Sequence, residues 1–137
     1  ALNPDIAEAY SNLGNTLKEL GRLDEAEASH RKAIALKSDY AKAHNNLGIV
    51  LRETQELGEA EKSFRQAIAL SPDYGEAHFN LGNLLKDQDR LEETVVCFRQ
   101  AIALREDLVQ AHSNLGVVLH RLGERDLAIT RREEDLV

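Results

Sequence analysis

A chain of 137 residues that is 42% hydrophobic but only 4% aromatic, with neither Trp nor Met, buries surface mainly through Ala, Leu, Ile and Val. Its formal net charge of -7 disfavours nucleic acid or an anionic membrane as the main partner, because both select for clustered Lys and Arg. One cysteine, Cys97, excludes an internal disulfide, no apolar stretch approaches the about 20 residues of a membrane span, and no secretory signal opens the chain. The compartment is left open, with the cytoplasm the expected one.

In chain order, Pro4 in "LNPD" precedes a helical pattern at Ala7, Tyr10, Leu13, Gly14 and Leu17. The stretch "ELGRLDE" breaks it, and Ala26, His30, Ala33 and Ile34 resume it as a second helix. From Asp39 the pattern starts again, through "NNLGIVL" and "FRQAIAL" to Leu70; from Asp73 it runs through "FNLGNLL" and a second "FRQAIAL" to Leu104. A fourth round begins at Asp107 with "SNLGVVL". Gly14, Gly48, Gly82 and Gly116 stand at a fixed step of 34, the mark of stacked units rather than one globular core. The spacing predicts four helix-turn-helix units, about 5–38, 39–72, 73–106 and 107–137, and eight helices, with antiparallel neighbours forced by short loops.

Within a unit, Gly21 and Gly123 are expected to supply the turn, in the slot that Gln55 and Asp89 fill in the second and third units. Asp5, Asp39, Asp73 and Asp107 are expected to cap the helices that follow them. A glycine inside a helix costs about 1 kcal/mol against alanine, so the four that recur call for a close helix approach. Ala26, Ala60 and Ala128 are expected to meet them, with Thr94 a looser fit.

The L-G pair in the first helix, Ala and Phe in the second and Pro at the boundary resemble the tetratricopeptide repeat over essentially the whole chain. The resemblance implies an all-α, right-handed superhelical solenoid. The family's tryptophan slot holds Tyr10, His44, His78 and His112; its phenylalanine slot holds His30, Phe64, Phe98 and Arg132. Tetratricopeptide arrays are interaction scaffolds with unrelated ligands, so a protein or peptide partner is implied but no particular one.

The residue before each L-G pair, Asn12, Asn46, Asn80 and Asn114, resembles the family position that points into the concave groove. A primary amide can pair with both the C=O and the N–H of a peptide unit. Rungs about 10 Å apart would match about every third residue of an extended chain rising about 3.3 Å per residue. Such a ladder is similar to the repeat arm of the O-linked N-acetylglucosamine transferases. The alternative role for these amides is to brace neighbouring helices. Asn15, Asn45 and Asn83 are assigned to the same groove, together with the basic row Lys18, Arg52 and Lys86, continued by His120. That row attracts acidic groups of a ligand, unless it only decorates helix ends beside Glu19, Glu53 and Asp87. The carboxylate clamp that holds chaperone tails is disfavoured: its slots hold Ser11, Asn15, Asn46, Glu76 and Asn80, or Asn45, Ile49, Asn80, Gln110 and Asn114, without a basic residue.

Enzyme chemistry is not expected, and no cofactor or metal is implied. His44, His78 and His112 would lie about 10 Å apart in successive units, far beyond the about 2 Å of a zinc–nitrogen bond, so they read as packing residues. Cys97 in "TVVCF" reads as core, and neighbouring acids such as Glu92 and Glu93 point in different directions. The expected function is a scaffold that binds extended polypeptide in its groove; the alternatives are a self-assembly module or the substrate-binding arm of a larger glycosyltransferase.

The ends depart most from the pattern. Ala1 and Leu2 repeat the close of "AIAL", which places them in a preceding unit. Near the other end Arg125 replaces leucine, Arg132 phenylalanine and Asp135 alanine. The expectation is a frayed or displaced last helix, and self-association through exposed ends of the array.

Overall fold

The computed structural model describes residues 4–136, with side chains from Ile6 onward; the expectations for Ala1, Leu2 and the Asp5 carboxylate lie outside these residues. Seven helices and no strand are found among them. They are α1 (Pro4–Glu19), α2 (Leu23–Leu36), α3 (Ala41–Glu53), α4 (Leu57–Leu70), α5 (Gly75–Asp87), α6 (Leu91–Leu104) and α7 (Val109–Asp135). Each of the pairs α1–α2, α3–α4 and α5–α6 is an antiparallel hairpin, and each hairpin packs on the next through α2–α3, α4–α5 and α6–α7.

The turn within each hairpin has one left-handed residue: Gly21 at φ 79°, Gln55 at 66° and Asp89 at 59°. The chain then closes back on the helix, with Arg22 N–H bonding Leu17 C=O at 2.9 Å, Glu56 bonding Leu51 at 2.8 Å and Arg90 bonding Leu85 at 2.9 Å. These six-residue closures satisfy carbonyls that the helix end leaves without partners. Glycine enters that conformation freely, whereas Gln55 and Asp89 enter it at a cost of about 1–2 kcal/mol.

The hairpins close on aromatic rings rather than on small residues. A methyl group at Gly48 would stand 2.6 Å from Cε1 of Phe64, one at Gly82 2.6 Å from Cε1 of Phe98, and one at Gly14 2.6 Å from the His30 ring. The glycine is therefore a notch for the ring sixteen residues on, which corrects the expected meeting with alanine. Ala26 and Ala60 are fully buried elsewhere in the hairpin interface. Thr94 is no looser: it is buried, and its hydroxyl donates to Arg90 C=O at 2.8 Å.

The aspartates do not cap. The capping seats of α3, α5 and α7 are Tyr40, Tyr74 and Leu108, without side-chain capping bonds. Packing takes those seats, because Tyr74 reaches back to α3, where Asn45 Nδ2 donates to its hydroxyl at 3.4 Å. Asp73 instead accepts from Ser71 Oγ at 2.9 Å, and Asp107 accepts from Arg105.

The largest core cluster lies in the middle of the array, where Leu47, Leu51 and Phe64 meet Leu81, Leu84 and Leu85. The fourth unit does not form a hairpin, so the expected eighth helix is absent among the described residues. No left-handed turn forms at Gly123, and α7 runs straight through it for 27 residues. A returning helix would bring Arg125, Arg132 and Asp135 to positions that are apolar in the earlier units, so burial offers nothing to offset breaking the helix.

Candidate functional site

Helices α1, α3, α5 and α7 are the first helices of their units. Direct packing joins α1 to α3 and α3 to α5, while α2, α4 and α6 pack on their neighbours' first helices rather than closely on one another. The asparagine rows stand on these first helices.

The asparagine amides are linked from helix to helix. Asn46 Nδ2 donates to Ser11 Oγ at 3.5 Å, Asn80 Nδ2 to Asn45 Oδ1 at 3.0 Å and Asn114 Nδ2 to Asn83 Oδ1 at 3.1 Å. Asn46, Asn80 and Asn114 are half-buried and Asn12 is exposed. Asn45 lies beneath the row, 2% exposed, and serves as the acceptor under Asn80. Asn15 and Asn83 are half-buried. The bracing role weighed against peptide capture is thus physically present, and it takes one N–H of each linked amide. A primary amide has two N–H groups and an oxygen with two lone pairs, so each rung retains capacity for a ligand. No further bond of the Asn46, Asn80 or Asn114 amides occurs among the described residues.

The basic row is partly neutralised. Arg52 on α3 reaches across to α5 and binds Asp87 Oδ2 through Nη2 at 2.5 Å and Nε at 3.1 Å. Both partners are well exposed, so this bond fixes the two rows side by side more than it stabilises the fold. Lys18 and Lys86 are half-buried at the ends of their helices, and His120 is exposed with Glu124 3.1 Å away. Ile49, Arg52, Asn80 and Asp87 line an open cleft of about 430 Å³ floored by Leu57 and Phe64, which gives the ladder an apolar neighbour. Sequence periodicity does not disclose that cleft, because Leu57 and Phe64 come from the second helix of the unit.

The histidines clamp turns. His44 Nε2 lies 3.1 Å from Ser38 C=O and His78 Nε2 lies 3.0 Å from Pro72 C=O, each holding the connection into its own unit; His112 is exposed. No cluster suited to a metal ion occurs among the described residues. Cys97 is buried and free, and burial pushes its thiol pKa up, opposite to what a nucleophile needs. No helix of the described residues is long and apolar enough to cross a membrane.

Glycine-and-ring helical hairpins repeated in register define a helical-repeat solenoid. A tetratricopeptide repeat model matches residues 5–73, a second matches 63–95 and a TPR repeat model matches 82–123; the chain belongs to the tetratricopeptide repeat family. Among solved structures, the first TPR of Spaghetti (RPAP3), bound to an HSP90 peptide, is 20% identical with a TM-score of 0.85, over 89% of this chain and 97% of that one. MamA is 24% identical with a TM-score of 0.81, over 93% of this chain and 75% of that one. A mutant of the Thermobaculum terrenum O-GlcNAc transferase is 28% identical with a TM-score of 0.79; the match covers 85% of this chain and 22% of that enzyme.

Proposed function

We propose that this chain is a protein-interaction scaffold whose concave face holds an extended polypeptide by its backbone, and that it carries out no chemistry of its own. The observation behind this reading is the row of amides, of which Asn46, Asn80 and Asn114 are each oriented by a side-chain bond to the first helix of the preceding unit. Amides fixed in this way lose little freedom when a ligand binds, so most of their hydrogen-bond energy goes into affinity. The neighbouring cleft at Ile49, Leu57 and Phe64 offers an apolar seat for a side chain between rungs.

A peptide selected from a random dodecamer library is a suitable probe. Replacing Asn46 and Asn80 together with Ala should weaken its binding at least tenfold in calorimetry, since each rung contributes up to two bonds of about 0.5–1.5 kcal/mol. Asn45→Ala tests the bracing: it removes the acceptor that orients Asn80 but keeps the rung itself, so it should lower stability and weaken binding less than the double substitution does. N-methylation of the peptide backbone should abolish binding. Affinity indifferent to the double substitution would end the groove reading. The likeness to the transferase favours a narrower version, in which the array is the substrate-holding arm of a larger enzyme. The coding sequence flanking these 137 residues tests it.

A further inference from the structure

The first half of α7 has the same face that α3 and α5 cover with their partner helices, but on α7 it is bare. Leu51 and Leu85 are fully buried, whereas Leu119, their counterpart 34 residues later, is 41% exposed. Gly48 and Gly82 are filled by phenylalanine rings, whereas nothing lies within 4 Å of the position a methyl group on Gly116 would take. A second observation lies on α6. Arg31 binds Glu59 at 3.0 Å and Arg65 binds Glu93 at 3.5 Å, in each case the third residue of the next unit's second helix. Arg99 is the next arginine in that row; its counterpart acid is Leu127, and it has no ionic partner among the described residues.

We propose that this bare flank of α7 is a docking site for an amphipathic helix of a partner protein, which sets an aromatic ring over Gly116 and a carboxylate against Arg99. The occupant's chemistry is given by the two helices that cover α3 and α5: Leu, then Ala or Thr, then Phe and Ala, spaced as Leu57, Ala60, Phe64 and Ala67 or as Leu91, Thr94, Phe98 and Ala101, with an acid at the position of Glu59 or Glu93. Residues 125–135 are not that helix, because Arg125, Arg132 and Asp135 stand where the leucine, the aromatic and the second alanine are required.

The test uses the 137-residue chain and a synthetic peptide of the sequence LGEAEKSFRQAIAL, that of residues 57–70. The peptide should bind saturably and shift the backbone amide resonances of residues 112–122. Phe64→Ala in the peptide, or Gly116→Ala in the chain, should weaken binding at least tenfold. The second variant is informative because the added methyl meets nothing in the free chain, so its melting temperature should rise, while the same methyl on Gly48 would collide with a ring. Arg99→Gln should weaken binding in low salt and matter less in high salt. No binding at millimolar peptide, resonance shifts centred on Asn46 and Asn80, or an affinity unchanged by Gly116→Ala would each overturn the proposal.

Discussion

His30 occupies the ring slot that Phe64 and Phe98 fill in the next two units. It is fully buried, and neither of its ring nitrogens has a hydrogen-bond partner. Burial, aided by the positive charge of Lys18, lowers its pKa to about 4. The unfolded chain takes up a proton on this histidine near pH 6.5, the folded chain only near 4. The contribution of neutral His30 is therefore complete above pH 6.5 and is lost as the pH falls from there to about 4, a span worth about 3 kcal/mol. His30→Phe should raise the melting temperature at pH 7 and flatten the acid side of the stability curve, read by circular dichroism from pH 7 to 4. An unchanged slope would place the titrating group elsewhere. The repeat register shows that His30 shares a slot with two phenylalanines; that this slot faces a glycine of the paired helix is a fact of three-dimensional packing, which residue size alone would assign to alanine.

At the level of the helix, α7 shows why a turn residue does not by itself make a turn. Gly21 and Gly123 sit in equivalent registers, yet only Gly21 adopts the left-handed conformation. The first unit gains the burial of Ala26, His30 and Ala33 when its second helix returns; the fourth would bring two arginines and an aspartate. The helix instead continues, and Arg125 binds Asp89 of the preceding turn at 2.9 Å. Restoring the pattern with Arg125→Leu, Arg132→Phe and Asp135→Ala should break α7 at Gly123, fold the hairpin and stabilise the chain by about 2 kcal/mol or more, the worth of burying one large side chain. Slow amide exchange across residues 126–134 together with a raised melting temperature is the expected outcome. The irregular tail was legible as a row of charges, but whether it would fray or straighten depended on the helix propensity of "RDLAITRREED", which outlasts the lost packing.

At the scale of the whole array, the helix packing among the described residues joins each hairpin to its neighbours, so stability is close to a sum of units and interfaces. The middle is best supplied. It holds the main core cluster, and beside it Arg90, Glu61, Arg65 and Glu93 close a ring of ion pairs between α4 and α6, with Glu61 bound by Arg90 at 2.6 Å and by Arg65 at 2.9 Å. Arg90 is the main cause holding the Glu61 and Glu93 carboxyls below their ordinary pKa, and as surface pairs they add little individually. The first unit has an unsatisfied buried ring and the fourth a bare face. Native-state hydrogen exchange should accordingly show strongest protection in α3 to α6, weaker protection in α1 and α2, and least in the second half of α7; uniform protection would mean a single cooperative unit. The repeat step made this linear architecture legible from the sequence. The ranking of its parts was not, because it rests on which slots are filled across unit boundaries.

The amide bonds of the ladder all run the same way. Asn46, Asn80 and Asn114 each donate toward the helix of the unit before, and none donates forward. This row of three amides therefore has an arrow: at each of these steps the bonded hydrogen points toward the preceding unit, and the amide oxygen has no partner among the described residues. A polypeptide backbone also has a direction, so the proposed capture of an extended strand carries an expectation: a peptide and its reversed-sequence counterpart should bind this row of amides unequally.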